Sequence, residues 1–220
     1  MRLSLSPLRT LLRSLIGLSP ASSSAAPGIT PAEFSESDVP FYTNRDMARE
    51  LRQGEILTNV THHSHALDAD GRPGLTARRV GYVVVATQDC DLFKDFKSRV
   101  GGASGIISGA LLFEAEDAPK AKDRMKIGGK EWKPIANNTV ERFHYLLAGS
   151  SETDLTDAAL PELLVDFRRY FTVLPAEIER QIEAGAACRR SRLNRPFRDH
   201  LQNRAAFFLQ RVALPDDYNS

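Results

Sequence analysis

Runs of apolar residues divide the chain into short elements. The densest run, RRVGYVVVATQ at residues 78–88, is rich in β-branched side chains and bounded by polar residues, which predicts a long buried strand. Similar runs predict further strands at residues 55–60, 105–116, 142–148 and 163–174. Residues 61–77 contain Asp-Gly and Pro-Gly pairs, which are typical of a wide loop. The pattern therefore indicates several closely spaced strands.

Glycine, proline and capping residues predict where the other elements begin and end. Residues 124–134, RMKIGGKEWKP, carry Gly128-Gly129 between alternating residues, which predicts a hairpin with a two-residue turn. Residues 43–53 predict a short helix that begins near Thr43 or Asn44 and stops at Gly54. Residues 175–187 predict a second helix, because proline is favoured in a first helical turn.

The last apolar pattern predicts an amphipathic C-terminal helix. In residues 194–215, apolar side chains recur at helical spacing, and Asn194 and Pro215 stand where a helix would begin and end. The spaced residues are Phe197, Leu201, Ala205, Phe208 and Val212.

These elements predict an α+β fold, mainly β, in the form of a small barrel or curled sheet with peripheral helices. We expect a barrel-like domain at residues 33–174, with a short leading helix, and a helical element at 175–220 packed on it. Residues 1–32 lack acids and are rich in Ser, Leu and Ala. That composition fits a disordered tail, a targeting peptide or a miscalled start codon.

Composition narrows the class of protein. No apolar stretch approaches the roughly 18 residues that span a bilayer, so we expect no membrane segment. Two cysteines give no disulfide framework, which suits the cytoplasm. The net charge is +1, yet residues 188–211 carry seven Arg and one Asp. The segment 189–198 is therefore a candidate surface for RNA or a protein partner, unless its arginines pair with the acidic body.

A polar cluster follows the densest apolar run, at residues 87–91. If the strand continued to its end, alternation would put Asp89 and Asp91 on one side and Cys90 inward on the other. The two acids could then bind a cation, pair with Arg168 or Arg195, or cap a turn. A reactive Cys90 is disfavoured, since neighbouring negative charge opposes thiolate formation.

Three other groups are candidate sites. Asp166 and Arg168 share a face of an apolar strand and form either an ion pair or part of a site. Cys90, His144 and Asp166 could together form a hydrolase site. Clustered arginines at the start of the last helix suit phosphate groups. The candidate ligand-binding residues are Gln88, Asp89, Asp91, Asp166, Arg168, Arg195, Arg198 and His200.

No cofactor is expected, and no metal site either. His62, His63 and His65 lie close together, but no third or fourth ligand with matching spacing accompanies them.

The order QGEIL (53–57), Arg78-Arg79, GYVVVATQDCD (81–91) and GALLFEAE (109–116) resembles the PemK/MazF toxin-like proteins. The resemblance implies an SH3-like barrel and RNA cleavage. Arg78 or Arg79 would occupy the basic position, and Thr87 would be the hydroxyl residue that ends the strand. The TQDCD strand end also resembles that of uncharacterised bacterial proteins, some linked to mobile elements or phage defence.

Two departures from the family pattern bear on activity. Val80 stands where the family has proline, and Glu114 and Glu116 lie where it has Ser or Thr. Acids there repel RNA phosphates, so the primary hypothesis is a cytoplasmic binding or accessory protein, of a phage-defence or toxin–antitoxin-like system. The alternatives are an endoribonuclease using Arg78, Arg79 and Thr87, and a cysteine hydrolase using Cys90.

Overall fold

The computed structural model describes residues 39–45, 47, 49–67 and 70–210, and the largest feature of this part of the chain is one antiparallel sheet. The sheet curls into a half-barrel in the order β1-β7-β2-β3-β4-β6-β5. The strands are β1 (Tyr42–Thr43), β2 (Glu55–Leu67), β3 (Pro73–Val85), β4 (Ala110–Asp117), β5 (Phe143–Leu146), β6 (Leu163–Val173) and β7 (Cys188–Leu193).

Helices cover both faces of this sheet, which makes the fold α+β as expected. They are α1 (Asp89–Val100), α2 (Ala118–Met125), α3 (Gly129–Ala136), α4 (Pro175–Glu183) and α5 (Arg195–Leu209). None of the described helices is long and apolar enough to cross a membrane.

Successive residues of the central strands enter different cores. Ile56 and Val84 pack into a cluster that includes residues of α5, whereas Leu57 and Val83 pack into a cluster that includes residues of α1 and α4. Side chains of neighbouring strand residues point to opposite faces, so a strand covered on both faces is apolar at consecutive positions. This explains the unbroken apolar run in β3.

β2 and β3 form a hairpin that is longer than the sequence suggests. Residues 61–67 pair in register with residues 73–79, so the wide loop expected at 61–77 is wrong. The only apolar side chains of this extension beyond alanine, proline and glycine are Leu67 and Leu75, and both are largely exposed. Because this two-stranded extension packs on no core, its residues need not alternate between apolar and polar. The sequence pattern of residues 61–77 therefore resembles that of a loop. We call residues 61–67 and 73–79 the arm.

β3 and β4 are paired along only part of their length and then separate. β4 pairs with β3 only at residues 82–85, and then continues beside β6. In the described part of the chain, residues 73–81 therefore have β2 on one side and no strand on the other. β6 bulges at the same level, because Phe113 pairs with Tyr170 whereas Ala115 pairs with Val165.

Two predicted elements are wrong. Residues 124–134 form no hairpin, since α2 ends at Met125 and α3 begins at Gly129. Gly128 and Gly129 have no positive φ, and Lys126 takes the left-handed conformation instead. The short helix expected at 43–53 is also absent from the described residues there, because Thr43 pairs with Arg192 as part of β1.

Both helices predicted for the C-terminal part of the chain are confirmed, and this part also contains a strand. α4 begins with Pro175, and α5 begins after Asn194, as predicted. Between them β7 lies inside the sheet, next to β1 and β2, so residues 175–210 contribute to the sheet as well as covering it. The expectations for residues 1–32, Val212 and Pro215 lie outside the described residues.

Candidate binding cleft

The parting of β3 and β4 opens a cleft of about 540 Å³. β3 contributes one wall through residues 78–82, and β4 contributes the other through residues 114–117. α2, the residue before β5 and the bulge of β6 close the end. We call this the charged cleft, because six Arg or Lys side chains and four carboxylates line it, a formal surplus of two positive charges.

Glu114 is the most enclosed of these acids. It lies between Arg78, which donates a hydrogen bond to its Oε1, and Arg169, whose Nη2 is 2.5 Å from its Oε2. Burial favours the neutral carboxyl, but the hydrogen bond from Arg78 and the charge of Arg169 outweigh it, and the pKa of Glu114 is lowered. The carboxylate is thus ionised and fully committed to the two arginines.

Two of the other three acids of the charged cleft are held by arginines in the same way. Asp166 accepts two hydrogen bonds from Arg142, at 2.9 and 2.5 Å, and Glu116 binds Arg124 at 2.8 Å. Asp117 caps α2 by accepting the N–H of Lys120 at 3.1 Å. Asp166 and Glu116 are thus screened by arginines, whereas Asp117 forms no ion pair among the described residues.

Two cationic side chains of the charged cleft, those of Arg79 and Lys120, are available to a ligand. No ion pair is formed by Arg79 or the Lys120 side chain among the described residues, and both are exposed. The only bond of the Arg79 side chain described is a long one, 3.5 Å, to the carbonyl of Ala186. Set against Asp117, which has no arginine, they leave one unit of the formal surplus, and the group of Arg78, Glu114 and Arg169 supplies the other.

The candidate catalytic residues are not brought together. Arg78 and Arg79 line the charged cleft, whereas Thr87 lies beyond the other end of β3. There its hydroxyl oxygen accepts the N–H of Leu111 at 2.7 Å, a bond that ties the chain after β3 to β4.

The polar cluster at 87–91 starts a helix and does not continue the strand, so the expected alternation is wrong. Gln88 is the N-cap residue of α1, and Asp89 and Asp91 lie in its first turn. Carboxylates at this end of a helix interact favourably with the helix dipole. Cys90 is exposed, contrary to the prediction that it points inward. Its thiol contacts only Gln88 and Asp91 among the described residues, both at 3.6 Å.

Asp89 pairs internally, though not with the predicted arginines. Its carboxylate accepts hydrogen bonds from Arg192 at 2.7 Å, from Arg198 at 2.9 Å and from the N–H of Gln53 at 2.8 Å. This contact ties α1 to β7 and α5. Arg195, expected as a partner, lies 3.6 Å from Asp199 instead.

Asp166 also has a different partner from the one expected. Arg142 binds its carboxylate, and Arg168 contributes only its backbone N–H, at 3.1 Å, while its side chain is exposed. The bulge in β6 breaks the strict alternation on which the predicted pair of Asp166 and Arg168 depended.

The three residues of the suggested cysteine hydrolase do not converge. His144 is buried against the rings of Phe167 and His200, and burial lowers its pKa to about 3. Asp166 is bound to Arg142, and Cys90 makes no hydrogen bond to an imidazole in the described part of the chain. His200 itself is on α5, exposed, beside His144.

The arginine-rich segment mostly holds the body together. Arg189 lies 3.3 Å from Glu55, Arg190 lies 2.8 Å from Asp154, and Arg192 binds Asp89. All three are largely covered. RNA or protein binding through residues 189–198 therefore stays a prediction that rests mainly on Arg195.

Glu114, Lys120, Arg142 and Arg169 are site residues that the sequence analysis missed as a group. The available signal was the carboxylate of Glu114 inside the apolar strand LLFEAED, since a buried charge requires a partner. The partners themselves depend on how β3, β4 and β6 separate.

Comparison with known proteins finds no family profile, no curated protein and no solved structure that matches this chain. The PemK/MazF-like resemblance therefore stays a prediction. Among the described residues, no group of three or more His, Cys, Asp or Glu side chains is arranged to hold a metal ion.

Proposed function

We propose that this protein is a binding or accessory module on an SH3-like half-barrel, and that it holds an extended segment of a partner protein in the charged cleft. The observation that carries the proposal is the free edge of β3 at residues 73–81, which runs along the arm into the cleft. The PemK/MazF-like resemblance would make such a module part of a bacterial toxin–antitoxin-like or phage-defence system.

The free edge supports a peptide because of its backbone. A strand with one unpaired side presents a row of N–H and C=O groups, and an extended peptide can pair with them. Natural proteins usually cover or shorten such an edge. In the described chain no strand lies beside the arm on either side, although the side chain of Gln181 binds the N–H and C=O of Thr61 at its base. An isolated two-stranded hairpin is only marginally stable in water. Pairing with a partner would complete the sheet.

The charges of the charged cleft favour a polypeptide over a nucleic acid. Its arginines and carboxylates alternate in ion pairs, which suits a partner that carries both kinds of charge. The unpaired cations Arg79 and Lys120 would select for an acidic side chain near one end of the bound segment.

Selection from a random peptide display library tests the proposal. We expect binders that are extended and contain an acidic residue, with affinity reduced by about 1 kcal/mol on Lys120→Glu or Arg79→Glu. Lys94→Glu on α1 is the matched control, since Lys94 is also an exposed helical lysine but lies outside the charged cleft. The proposal fails if no peptide binds, or if Lys94→Glu weakens binding as much as Lys120→Glu.

An endoribonuclease is the second candidate. It is favoured by the positive surplus of the charged cleft and by the contact of Arg78 with a carboxylate, Glu114. Two observations weigh against it. Arg78 and Glu114 are bound to each other, and Thr87 lies beyond the other end of β3. Incubation of the purified protein with mixed RNA distinguishes the endoribonuclease from the binding module. Cleavage that disappears in the double variant Arg78→Ala, Arg79→Ala would replace the binding proposal.

A further inference from the structure

A second pocket, of about 680 Å³, opens at the start of α5 and shares no lining residue with the charged cleft. Four arginines line it against a single acid, Glu152. They are Arg45, Arg192, Arg195 and Arg198. We call it the helix-start pocket. Its volume lies within the range of roughly 300 to 1,000 Å³ that is typical of small-molecule sites.

The arginines of the helix-start pocket are not fully neutralised. Arg192 and Arg198 share one carboxylate oxygen, Oδ2 of Asp89, at 2.7 and 2.9 Å. Asp199 lies 3.6 Å from both Arg195 and Arg198, so these three arginines share two carboxylates and keep one formal positive charge. The Nε of Arg198 is buried and forms no hydrogen bond among the described residues, since Oδ1 of Asp199 lies 3.6 Å away, beyond hydrogen-bond distance. Buried donors of this kind are normally satisfied, so an additional acceptor is expected.

The first turn of α5 also lacks a side-chain cap. Asn194 occupies the capping position, but its amide donates to the carbonyls of Pro40 and Tyr42 and accepts no N–H of the helix. Within the described chain, the N–H groups of Arg195 and Phe197 form no hydrogen bond. Free N–H groups at the start of a helix favour an anion through hydrogen bonds and the helix dipole.

We propose that the helix-start pocket binds a small molecule that carries a phosphate group. Arg195 and Arg198 and the free N–H groups of α5 hold the phosphate, and Arg45 faces it from the loop after β1. Guanidinium groups suit a phosphate because they donate two parallel hydrogen bonds to its oxygens. Val39, Pro40 and Leu193 supply an apolar wall for the rest of the molecule.

The site is independent of the proposed peptide-binding function. Arg195 and Arg45 are the suitable positions for substitution, because both are exposed, whereas Arg192 and Arg198 also hold Asp89 and the fold. Lys97→Gln, on the exposed side of α1, is the control for the loss of one surface charge.

Titration calorimetry with pyrophosphate and with adenosine 5′-monophosphate, at low salt, tests the proposal. We expect both to bind with one-to-one stoichiometry and uncharged adenosine not to bind. Arg195→Gln and Arg45→Gln should each weaken binding about tenfold, and Lys97→Gln should leave it unchanged. The thermal unfolding of each free variant confirms that it is folded.

Amide spectra locate the bound phosphate. In ¹⁵N-labelled protein, pyrophosphate should shift the amide signals of Arg195 and Phe197 more than those of the charged cleft. The proposal is overturned if neither phosphate compound binds at millimolar concentration, if Arg195→Gln binds as tightly as the control, or if the shifted amides lie elsewhere.

Discussion

Asp89 shows how one residue can organise several elements. Its carboxylate stands in the first turn of α1 and binds Arg192 of β7 and Arg198 of α5, besides the N–H of Gln53. These bonds explain why an acid follows the apolar run of β3. The residue joins three parts of the chain that are far apart in sequence, and it faces inward to arginines.

The substitution Asp89→Asn should lower the free energy of unfolding by about 2 kcal/mol, because two largely covered guanidinium groups lose their carboxylate. Asp91→Asn is the matched control, since Asp91 lies in the same helical turn and its carboxylate contacts only the thiol of Cys90 among the described residues. Its cost should stay below about 1 kcal/mol. Urea unfolding measures both. Equal costs would contradict the role given to Asp89.

Glu55 is a second residue with a measurable consequence. It is fully buried beside Arg189, and burial raises its pKa from 4.5 to about 7, against the lowering effect of Arg189. Between these two pH values the folded state holds a proton that the unfolded state releases. The stabilisation from this carboxyl is therefore complete below about pH 4.5 and is lost as the pH rises through 7.

Glu55→Gln should remove this dependence. The stability of the variant minus that of the wild type should rise with pH between 5 and 7, by at most about 1.4 kcal/mol per pH unit. Other groups, including His144, contribute to both proteins and cancel. Glu114→Gln is the control, because the lowered pKa of Glu114 leaves it ionised in both states over this range. A flat difference for Glu55→Gln would show that its carboxyl has an ordinary pKa.

At the scale of elements, the arm and the cleft follow from one event, the separation of β3 from β4 after residues 82–85. β3 leaves with β2 as a two-stranded arm, and β4 leaves with β6. Local stability follows the number of neighbours that an element has. Residues 83–85 lie between two strands and two cores, whereas residues 73–79 have one strand neighbour and are exposed.

Hydrogen exchange should therefore divide β3 in two. In the free protein, amides of residues 73–79 should exchange orders of magnitude faster than those of residues 83–85, because the arm opens locally while the central part opens only with the whole fold. Mass spectrometry of peptides from β3 measures this. Uniform protection along β3 would mean that the arm is covered in the free protein.

The sequence predicts the elements in which apolar residues form a dense run or recur at helical spacing. It does not predict elements that lack such a pattern. β3, β6 and α5 follow from apolar runs or helical spacing that tertiary contacts do not alter. The start of α1 was missed because Asp95, on its inner face, is charged. It is nevertheless buried, where it binds Arg99 and the N–H of Ile106. Gly128 and Gly129 suit a hairpin turn equally well as a link between two helices.

The candidate site was less predictable than the elements. Arg78 was identified from a short motif, but its contact with Glu114 depends on the separation of β3 and β4 and on the bulge in β6. These are properties of strand pairing over long sequence distances. A local pattern does not contain them.

Across the whole described chain, all three arginines of β7 act as internal counter-ions. The seven arginines of residues 188–211 suggested a basic surface, but Arg189, Arg190 and Arg192 pair with three acids of the body. These acids are Glu55 of β2, Asp154 and Asp89 of α1. The net positive charge of the concave surfaces is concentrated in the charged cleft and in the helix-start pocket. We propose a peptide as the ligand of the first and a phosphate compound as the ligand of the second.

Peptide binding at the edge of β3 is tested by hydrogen exchange of the protein with a display-selected peptide bound. We expect strong new protection of amides at residues 73–81, since the peptide would pair with the free edge of β3, and little change at the outer strands β1 and β5. Protection confined to β1 or β5, with residues 73–81 still exchanging as in the free protein, would contradict it.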